Sequence, residues 1–185
     1  MHMAKPHGES KLDLAFADYN ASVLRLVTLP NVLLSWAQSL PATDQTGPWE
    51  EEGELDIDAD LKKAFICDMM DRKISLSFFS GAWGEEFVNL IEKERKAQDG
   101  ELMVIGAETI YSPKALRDFA DVLVKVLEKE EGGKALVGAK KVYFGVGGSM
   151  DDFINQMTKK GGEVRQLREE TEGVRRSVVE VTLKK

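Results

Sequence analysis

The sequence has 185 residues, of which 32 are acidic and 25 are Lys or Arg, so its formal net charge is −7. The length fits one domain with a sizeable core, and the acidic balance argues against general nucleic-acid binding, which needs concentrated cations. The single cysteine, Cys67, excludes an intramolecular disulfide and a cysteine-rich metal site. With no secretory signal and no apolar run near the roughly 20 residues of a membrane span, we expect an intracellular protein, located in the cytoplasm, the nucleus or both.

The first part of the chain predicts a tail, a strand and a helix. Residues 1–11 show no apolar pattern, so we expect a disordered tail whose two histidines, His2 and His7, are not ligands. Alternating apolar residues then predict a strand that ends at Asp18. Pro30 is expected to kink or end the following helix, and residues 31–36 fit either a continued helix or a short extended piece.

An acidic insertion occupies residues 41–60. Seven carboxylates and no cation lie between Glu50 and Asp60, which predicts a mobile, solvated surface loop. The alternative interpretation is a docking site for a basic partner.

A helix, a strand and a second helix are predicted after the insertion. The first helix covers residues 59–72, with Ile66 and Met70 beside its apolar line, and the strand begins at Ile74. The next helix carries acidic residues in its first turn and basic residues in its last. Three of its apolar side chains are expected to face inward: Phe87, Leu90 and Ile91.

The segment from Glu101 to Gly148 predicts a strand–helix–strand crossover. The apolar run Leu102–Ala107 is typical of a strand covered on both faces, Ser112 and Pro113 predict the first turn of a helix, and residues 135–139 predict a parallel strand. Polar residues at the carboxyl ends of such strands line the ligand crevice of open α/β sheets. Here these residues are Glu108, Thr109, Tyr111, Lys140, Lys141 and Tyr143.

The end of the chain predicts a capped helix and a hairpin. Ser149 and Asp152 resemble a capping box. The glycines of residues 145–148 are therefore interpreted as a turn into this helix. The alternative, a phosphate cradle, would need a final glycine that this stretch lacks. Residues 163–169 and 174–183 predict two antiparallel strands, which are common beside a parallel sheet. The fold class expected from this order of elements is α/β.

Four stretches resemble a known family: DYNASVLRLVTLPNVLLSW, FFSGAWGEEF, AETIYSP and AKKVYFGVGGSMDDF. They closely resemble the histidine protein methyltransferases, a branch of the S-adenosylmethionine-dependent protein methyltransferases, from about residue 12 to the C-terminus. The resemblance implies a partial Rossmann-like, seven-stranded methyltransferase sheet over residues 12–185. This sheet would lack the first strand and its Gly-rich loop, so the chain is expected to be the C-terminal part of a methyltransferase.

The expected loss of the first strand leaves two strand edges open. In the family this strand lies between the second and the fourth, which match residues 12–18 and 102–107. Either these two strands pair with each other, or another chain fills the gap. Because unpaired edges invite association, self-association through them is one expected outcome.

The resemblance also implies a binding site for S-adenosylmethionine. Asp18 matches the acid that holds the ribose hydroxyls, with a helix cap as its alternative role, and Trp83 matches an aromatic near the adenine, with a place at the edge of the core as its alternative. Ala82 stands where the family commonly carries Asp, which puts a contact to the adenine amino group in doubt. The expected cofactor-binding residues are Asp18, Tyr19, Asn20, Gly81, Ala82 and Trp83, and no metal is expected.

The expected catalytic residues follow the predicted fourth strand of the family: Glu108, Thr109 and Tyr111. Methyl transfer needs alignment and a neutral imidazole nitrogen as nucleophile. The resemblance places Glu108 toward the methyl donor and acceptor, where a carboxylate would orient a substrate histidine through its other N–H.

The function implied by the resemblance is S-adenosylmethionine-dependent N-methylation of a histidine in a protein, with a ribosomal large-subunit protein as the expected target. This chain by itself is expected to be weakly active or inactive. Two alternatives remain open. One is a non-catalytic remnant or interaction module that binds a basic partner through the acidic segment, and the other is methylation of lysine. The partners expected are thus a protein substrate, without direct nucleic-acid or membrane binding.

Overall fold

The computed structural model describes residues 11–40, 54–95, 100–145 and 147–184. The chain divides into two compact units, Met1–Gly81 and Ala82–Lys185. The predicted tail with its two histidines and most of the acidic insertion lie outside the described residues. No helix in the described ranges is long and apolar enough to cross a bilayer.

The first unit contains a two-stranded parallel sheet. Strand β1 (Leu12–Asp18) pairs with β2 (Ile74–Ser80) in a register that aligns the ends of both strands, Asp18 with Ser80. Alternation places Phe16 and Phe78 on the same face, where their rings stack with centroids 5.4 Å apart. Both strands agree with the sequence prediction.

The helical segment after β1 changes type before Pro30. Helix α1 (Ala21–Val23) continues into a π-helical segment (Leu24–Thr28) and then into α2 (Leu29–Ser39), with Pro30 in the first turn of α2. Proline lacks the N–H of a regular helical turn, and a π segment accommodates such an irregularity without ending the helix. Of the two alternatives for residues 31–36, the continued helix is correct.

Helix α3 (Ala59–Asp71) completes the first unit. Its N-cap residue is Asp58, whose side chain accepts a hydrogen bond from the Leu61 N–H at 2.8 Å. The insertion predicted for residues 41–60 therefore already turns into helix at its last residues. Apolar side chains of α2, α3 and β2 form a shared core: Val32, Leu33, Trp36, Ala37, Phe65, Met69 and Ile74.

Two predicted neighbours of the apolar line on α3 do not join this core. Ile66 is exposed and Met70 is 71% exposed. Residues three and four apart share a helix face, but only the narrow line through Phe65 and Met69 meets α2 and the sheet.

The second unit is an α/β layer built on a mixed sheet. In chain order it contains α4 (Glu85–Arg95), β3 (Met103–Ala107), α5 (Pro113–Glu128), β4 (Lys134–Lys140), α6 (Met150–Lys159), β5 (Gly162–Glu170) and β6 (Arg176–Leu183). The strand order is β3-β4-β6-β5, with β3 and β4 parallel and the hairpin β5–β6 antiparallel. The crossover, the terminal hairpin and the α/β class are therefore confirmed.

Both predicted helix caps are present. The Ser112 hydroxyl accepts from the Ala115 N–H at 3.2 Å, and the Ser149 hydroxyl accepts from the Asp152 N–H at 2.9 Å while donating to the Asp152 carboxylate at 2.7 Å. These bonds satisfy N–H groups that have no partner within the first helical turn. They set where α5 and α6 begin.

The core of the second unit lies on one face of its sheet. Side chains of α5 and α6 pack there against alternate residues of β4 and β6, and the fully buried apolar strand residues are Ala135, Val137, Ala139, Val179 and Val181. In the parallel register, Val104 and Gly106 of β3 share this face. The Gly106 position is tight, since a Cβ there would lie 2.7 Å from the Phe119 ring.

Two expectations are wrong, one about the opposite face of β3 and one about the buried face of α4. Met103 is exposed and Ile105 is 73% exposed, so β3 is not covered on both faces as its apolar run predicted. On α4, Leu90 is exposed and Val88 is buried in its place beside Phe87. Among the described residues β1 and β3 are assigned to different sheets, one in each unit.

The hydrogen bond between Trp36 and Asp68 yields a stability prediction. The indole N–H of the buried Trp36 donates to Asp68 at 2.7 Å. Asp68→Ala leaves this donor without a partner, so we expect it to lower the free energy of unfolding by about 1–3 kcal/mol. Chemical denaturation followed by circular dichroism measures the loss.

Asp71→Ala on the same helix is the matched control, because Asp71 is exposed, and it should change stability by no more than about 0.5 kcal/mol. Equal effects of the two substitutions would contradict the assigned role of Asp68.

Candidate active site

Glu108 follows β3 in a left-handed backbone conformation. Its φ is +55°, a region that residues with a Cβ rarely occupy. Its N–H donates to the Gly138 carbonyl at 2.9 Å, which extends the pairing of β3 and β4 by one residue. Glycine would adopt this turn without steric cost, whereas glutamate stays in it only because surrounding contacts hold it there.

The Tyr143 hydroxyl holds one oxygen of this carboxylate. It donates to Glu108 Oε2 at 2.6 Å and accepts from the Lys140 N–H at 3.3 Å. Burial and the hydrogen bond to Glu108 raise the pKa of the Tyr143 phenol to about 12. Tyr143 therefore remains protonated, and a hydrogen-bond donor, at neutral pH.

Arg176 approaches the other carboxylate oxygen. Its Nε lies 3.4 Å from Glu108 Oε1, and both side chains are about half exposed. Sequence reasoning missed Arg176 because the contact joins residues that lie far apart in the chain. The relevant signal is the pairing register of β4 and β6, in which Arg176 lies opposite Lys140 at the end of β4.

A second carboxylate fixes the start of β6 beside the loop after β4. Glu169 accepts hydrogen bonds from Lys141 and Arg175, both at 2.8 Å, and from Gln166 at 2.9 Å. These bonds lower the pKa of the partly buried Glu169 carboxyl to about 2. Because Arg175 precedes Arg176, this pairing helps to keep Arg176 near Glu108.

The glycine-rich loop packs against the backbone that follows Glu108. Gly148 has a φ of +101°, and a Cβ on it would lie 2.6 Å from the Ile110 carbonyl oxygen. Gly147 lies against the Pro113 ring. The stretch leads directly into α6, in agreement with its interpretation as a turn. Glycine is required here for close approach of two backbone segments.

Thr109 and Tyr111 complete the residues predicted to be catalytic. The Thr109 hydroxyl is buried and, within the described part of the chain, is the only buried side-chain polar atom without a hydrogen-bond partner. Tyr111 is exposed, whereas Ile110 between them is fully buried in the core. Glu108 and Thr109 thus lie in one turn, and Glu108 contacts Tyr143 and Arg176, although Tyr143 was expected only as a strand-end residue.

The turn after β1 contains the predicted ribose-binding acid. Asp18 Oδ1 accepts from the Asn20 N–H at 2.7 Å, and the Asp18 carbonyl accepts from the Gly81 N–H at 3.2 Å. Asn20, not Asp18, is the N-cap residue of α1, and its side chain makes no cap hydrogen bond. Tyr19 is exposed. The carboxylate therefore shapes this turn and does not cap the helix.

Trp83 and the exposed Ala82 belong to the second unit. The Trp83 indole is partly buried and packs edge-on against Phe87, at a centroid distance of 4.8 Å, and against Phe119, at 6.1 Å. This position at the edge of the core is the alternative that the sequence analysis gave for Trp83. Contact with a cofactor stays a prediction for both residues.

The described residues contain no cluster of three or more His, Cys, Asp or Glu side chains that could hold a metal ion. The turn after β3 presents the Glu108 carboxylate. One of its oxygens accepts a hydrogen bond from the Tyr143 phenol, and the other is partly accessible to further donors. Such a group accepts hydrogen bonds from N–H donors.

Comparison with known proteins identifies relatives over most of the chain. It is 35% identical to histidine protein methyltransferase 1 of Saccharomyces cerevisiae over 152 residues, which cover 77% of this chain and 40% of the relative. It is 35% identical over 169 residues to the Schizosaccharomyces pombe protein of the same name, with coverages of 90% and 48%. The mouse homologue is 31% identical over 174 residues, with coverages of 93% and 44%. The chain thus spans less than half the length of these relatives.

Other comparisons add little. No family model matches the chain. Among solved structures, LepI in complex with SAH and a substrate analogue gives a TM-score of 0.44 at 8% identity, covering 98% of this chain and 45% of LepI. A Pyrococcus horikoshii protein gives 0.41 at 10% identity, with coverages of 96% and 84%. Structural likeness at this level carries no argument about function.

The unpartnered hydroxyl of Thr109 yields a second prediction. Thr109→Val removes a buried polar atom that has no partner to lose, so the free energy of unfolding should stay within about 0.5 kcal/mol of the original value or rise. Ser112→Ala in the same turn removes a cap hydrogen bond and should cost about 1 kcal/mol. Urea denaturation of both variants provides the comparison, and a Thr109→Val loss as large as that of Ser112→Ala would refute this assignment.

Proposed function

Because this chain is related by sequence to the histidine protein methyltransferases, we propose that it carries part of the machinery for S-adenosylmethionine-dependent N-methylation of histidine in a protein. The relatives named above support the reaction class. Because the chain spans less than half of their length, its activity by itself needs a test. A ribosomal large-subunit protein is the proposed substrate. The proposed architecture is the C-terminal portion of a seven-stranded methyltransferase sheet.

The turn after β1 fits the ribose of S-adenosylmethionine. Asp18 stands at the carboxyl end of a parallel strand, where ligands bind in open α/β sheets. A carboxylate accepts from two hydroxyls, and the bond from the Asn20 N–H holds Asp18 Oδ1 in the turn. The proposal assigns Asp18, Tyr19, Asn20 and Gly81 to the ribose side, and Ala82 with the Trp83 indole to the adenine side. When bound, the cofactor supplies the methyl group.

The observation that carries the proposal is the held carboxylate of Glu108. A substrate imidazole that donates one N–H to Glu108 directs the lone pair of its second nitrogen away from the carboxylate, as methyl transfer requires. The left-handed turn and the 2.6 Å bond from Tyr143 restrict where the carboxylate points. The proposed catalytic role of Glu108 is therefore orientation. Thr109 and Tyr111 flank it as proposed substrate contacts.

Methylation assays with the full chain test this assignment. Radiolabelled S-adenosylmethionine and a mixture of ribosomal large-subunit proteins should give methylhistidine, located by mass spectrometry. Glu108→Gln should slow transfer by about 10-fold or more, since it weakens a hydrogen bond to a charged acceptor, and cofactor binding measured by calorimetry should be unchanged. Asp18→Asn should instead weaken cofactor binding.

Glu163→Gln, on the exposed side of β5, is the control for loss of one negative charge and should have no effect. If the assay yields methyllysine instead of methylhistidine, the target residue is lysine and the proposed histidine target is wrong. Folded chain that binds no S-adenosylmethionine would rule out catalysis by this chain.

We also propose that the free edge of β3 pairs with a second copy of this chain. In the part of the chain that the structure describes, β3 ends its sheet, and its Ile105 side chain is 73% exposed. Two edge strands related by a two-fold axis pair antiparallel, which would join their backbone N–H and C=O groups and bring the exposed apolar side chains of both copies side by side on one continuous sheet.

Sedimentation velocity over a concentration series tests this pairing. Ile105→Lys should shift the population toward the monomer, because charge on an edge strand opposes pairing. Leu26→Lys, at another exposed apolar residue, is the control and should leave the distribution unchanged. A wild-type chain that stays monomeric at all concentrations would refute the proposal.

A further inference from the structure

The two oxygens of the Glu108 carboxylate differ in their environment. Oε2 accepts the short hydrogen bond of 2.6 Å from the buried Tyr143 hydroxyl. Oε1 lies 3.4 Å from Arg176 Nε, at the outer limit of a hydrogen bond. Since the Glu108 side chain is 44% exposed and Arg176 is 53% exposed, Oε1 is open to an additional donor.

Arg176 also sets the charge beside that oxygen. An isolated carboxylate attracts cations, so it favours the ammonium of lysine and the protonated form of histidine over a neutral imidazole. Neither cation has a free lone pair on nitrogen, so neither accepts a methyl group. A guanidinium, which stays protonated at all relevant pH values, offsets the negative charge and leaves the carboxylate able to accept a neutral N–H.

Resting on the proposed function, we propose that Arg176 is a specificity-determining residue, which offsets the charge of Glu108 so that the site accepts the N–H of a neutral imidazole in preference to the ammonium of lysine. Imidazole binds at Oε1, where the long contact to Arg176 leaves room for a donor.

The other groups near this turn either are neutral or have partners other than Glu108. Tyr143 is a neutral donor to Glu108, and Lys140 lies over the Tyr143 ring, 5.6 Å from its centroid. Lys141 and Arg175 both pair with Glu169. Among the ion pairs of the described residues, Arg176 is the cation that contacts Glu108, so its removal changes the local charge most directly.

The test uses the full chain and two small probes, N-acetylhistidine amide and N-acetyllysine amide. At about pH 8 the first is neutral and the second is charged. Binding of each is followed through the NMR signal of the Glu108 carboxyl carbon. The wild type should bind the histidine probe more tightly, and Arg176→Gln should shift the ratio of the two affinities toward lysine by about two- to fivefold, the range for exposed charge pairs.

Two variants separate local charge from other effects. Arg176→Lys keeps the charge and should keep the wild-type ratio. Arg165→Gln removes the same charge from the same hairpin, but Arg165 pairs with Glu180, so its ratio should also stay at the wild-type value. An unchanged ratio in Arg176→Gln, an equal shift in Arg165→Gln, or no response of Glu108 to the histidine probe would overturn the inference.

The measurement does not involve a methyl donor. A wild-type chain that discriminates between the probes and transfers no methyl group would refute the proposed activity and support the role of Arg176. A chain that methylates histidine while Arg176→Gln keeps the wild-type ratio would support the activity and overturn this role.

Discussion

The left-handed turn at Glu108 is the constraint on which the candidate site depends. A residue with a Cβ occupies this conformation only when its surroundings hold it there. Here the Glu108 N–H bonds to Gly138, and the carboxylate bonds to Tyr143. The turn also directs Ile110 into the core while Glu108 stays at the surface. Removal of either bond would therefore affect both the shape of the turn and the direction of the carboxylate.

The rigidity of this turn comes from groups beneath and beside it. Gly148 brings the loop before α6 against the Ile110 carbonyl, and the Ser112 cap sets the first turn of α5. The exposed pair of Arg176 and Glu108 is screened by water and adds little to stability. Buried contacts thus fix the position of the Glu108 carboxylate. The exposed Arg176 guanidinium, in contrast, changes how strongly that carboxylate attracts other charges.

Features that depend on neighbouring residues were predictable from the sequence, and features that depend on distant ones were not. The end of β1 at Asp18, the two serine caps and the hairpin follow from local patterns. The contact between Arg176 and Glu108 requires the pairing register of β4 and β6. The exposure of Ile105 was missed because an apolar run does not reveal whether helices cover one face of its strand or both. The strained backbone of Glu108 also has no signal in a single sequence.

The π-helical segment before Pro30 restricts how the length of this helix can vary. A π turn contains one residue more than a regular α turn, so deletion of one residue within Leu24–Thr28 would restore regular winding. Each residue of an α-helix turns the chain by about 100°. Such a deletion would therefore leave Val32, Leu33 and Trp36 facing the core, whereas a deletion inside α2 would turn the residues beyond it away. Single-residue gaps should thus be tolerated within Leu24–Thr28 far better than within α2, and an alignment should place a gap of one residue in this segment.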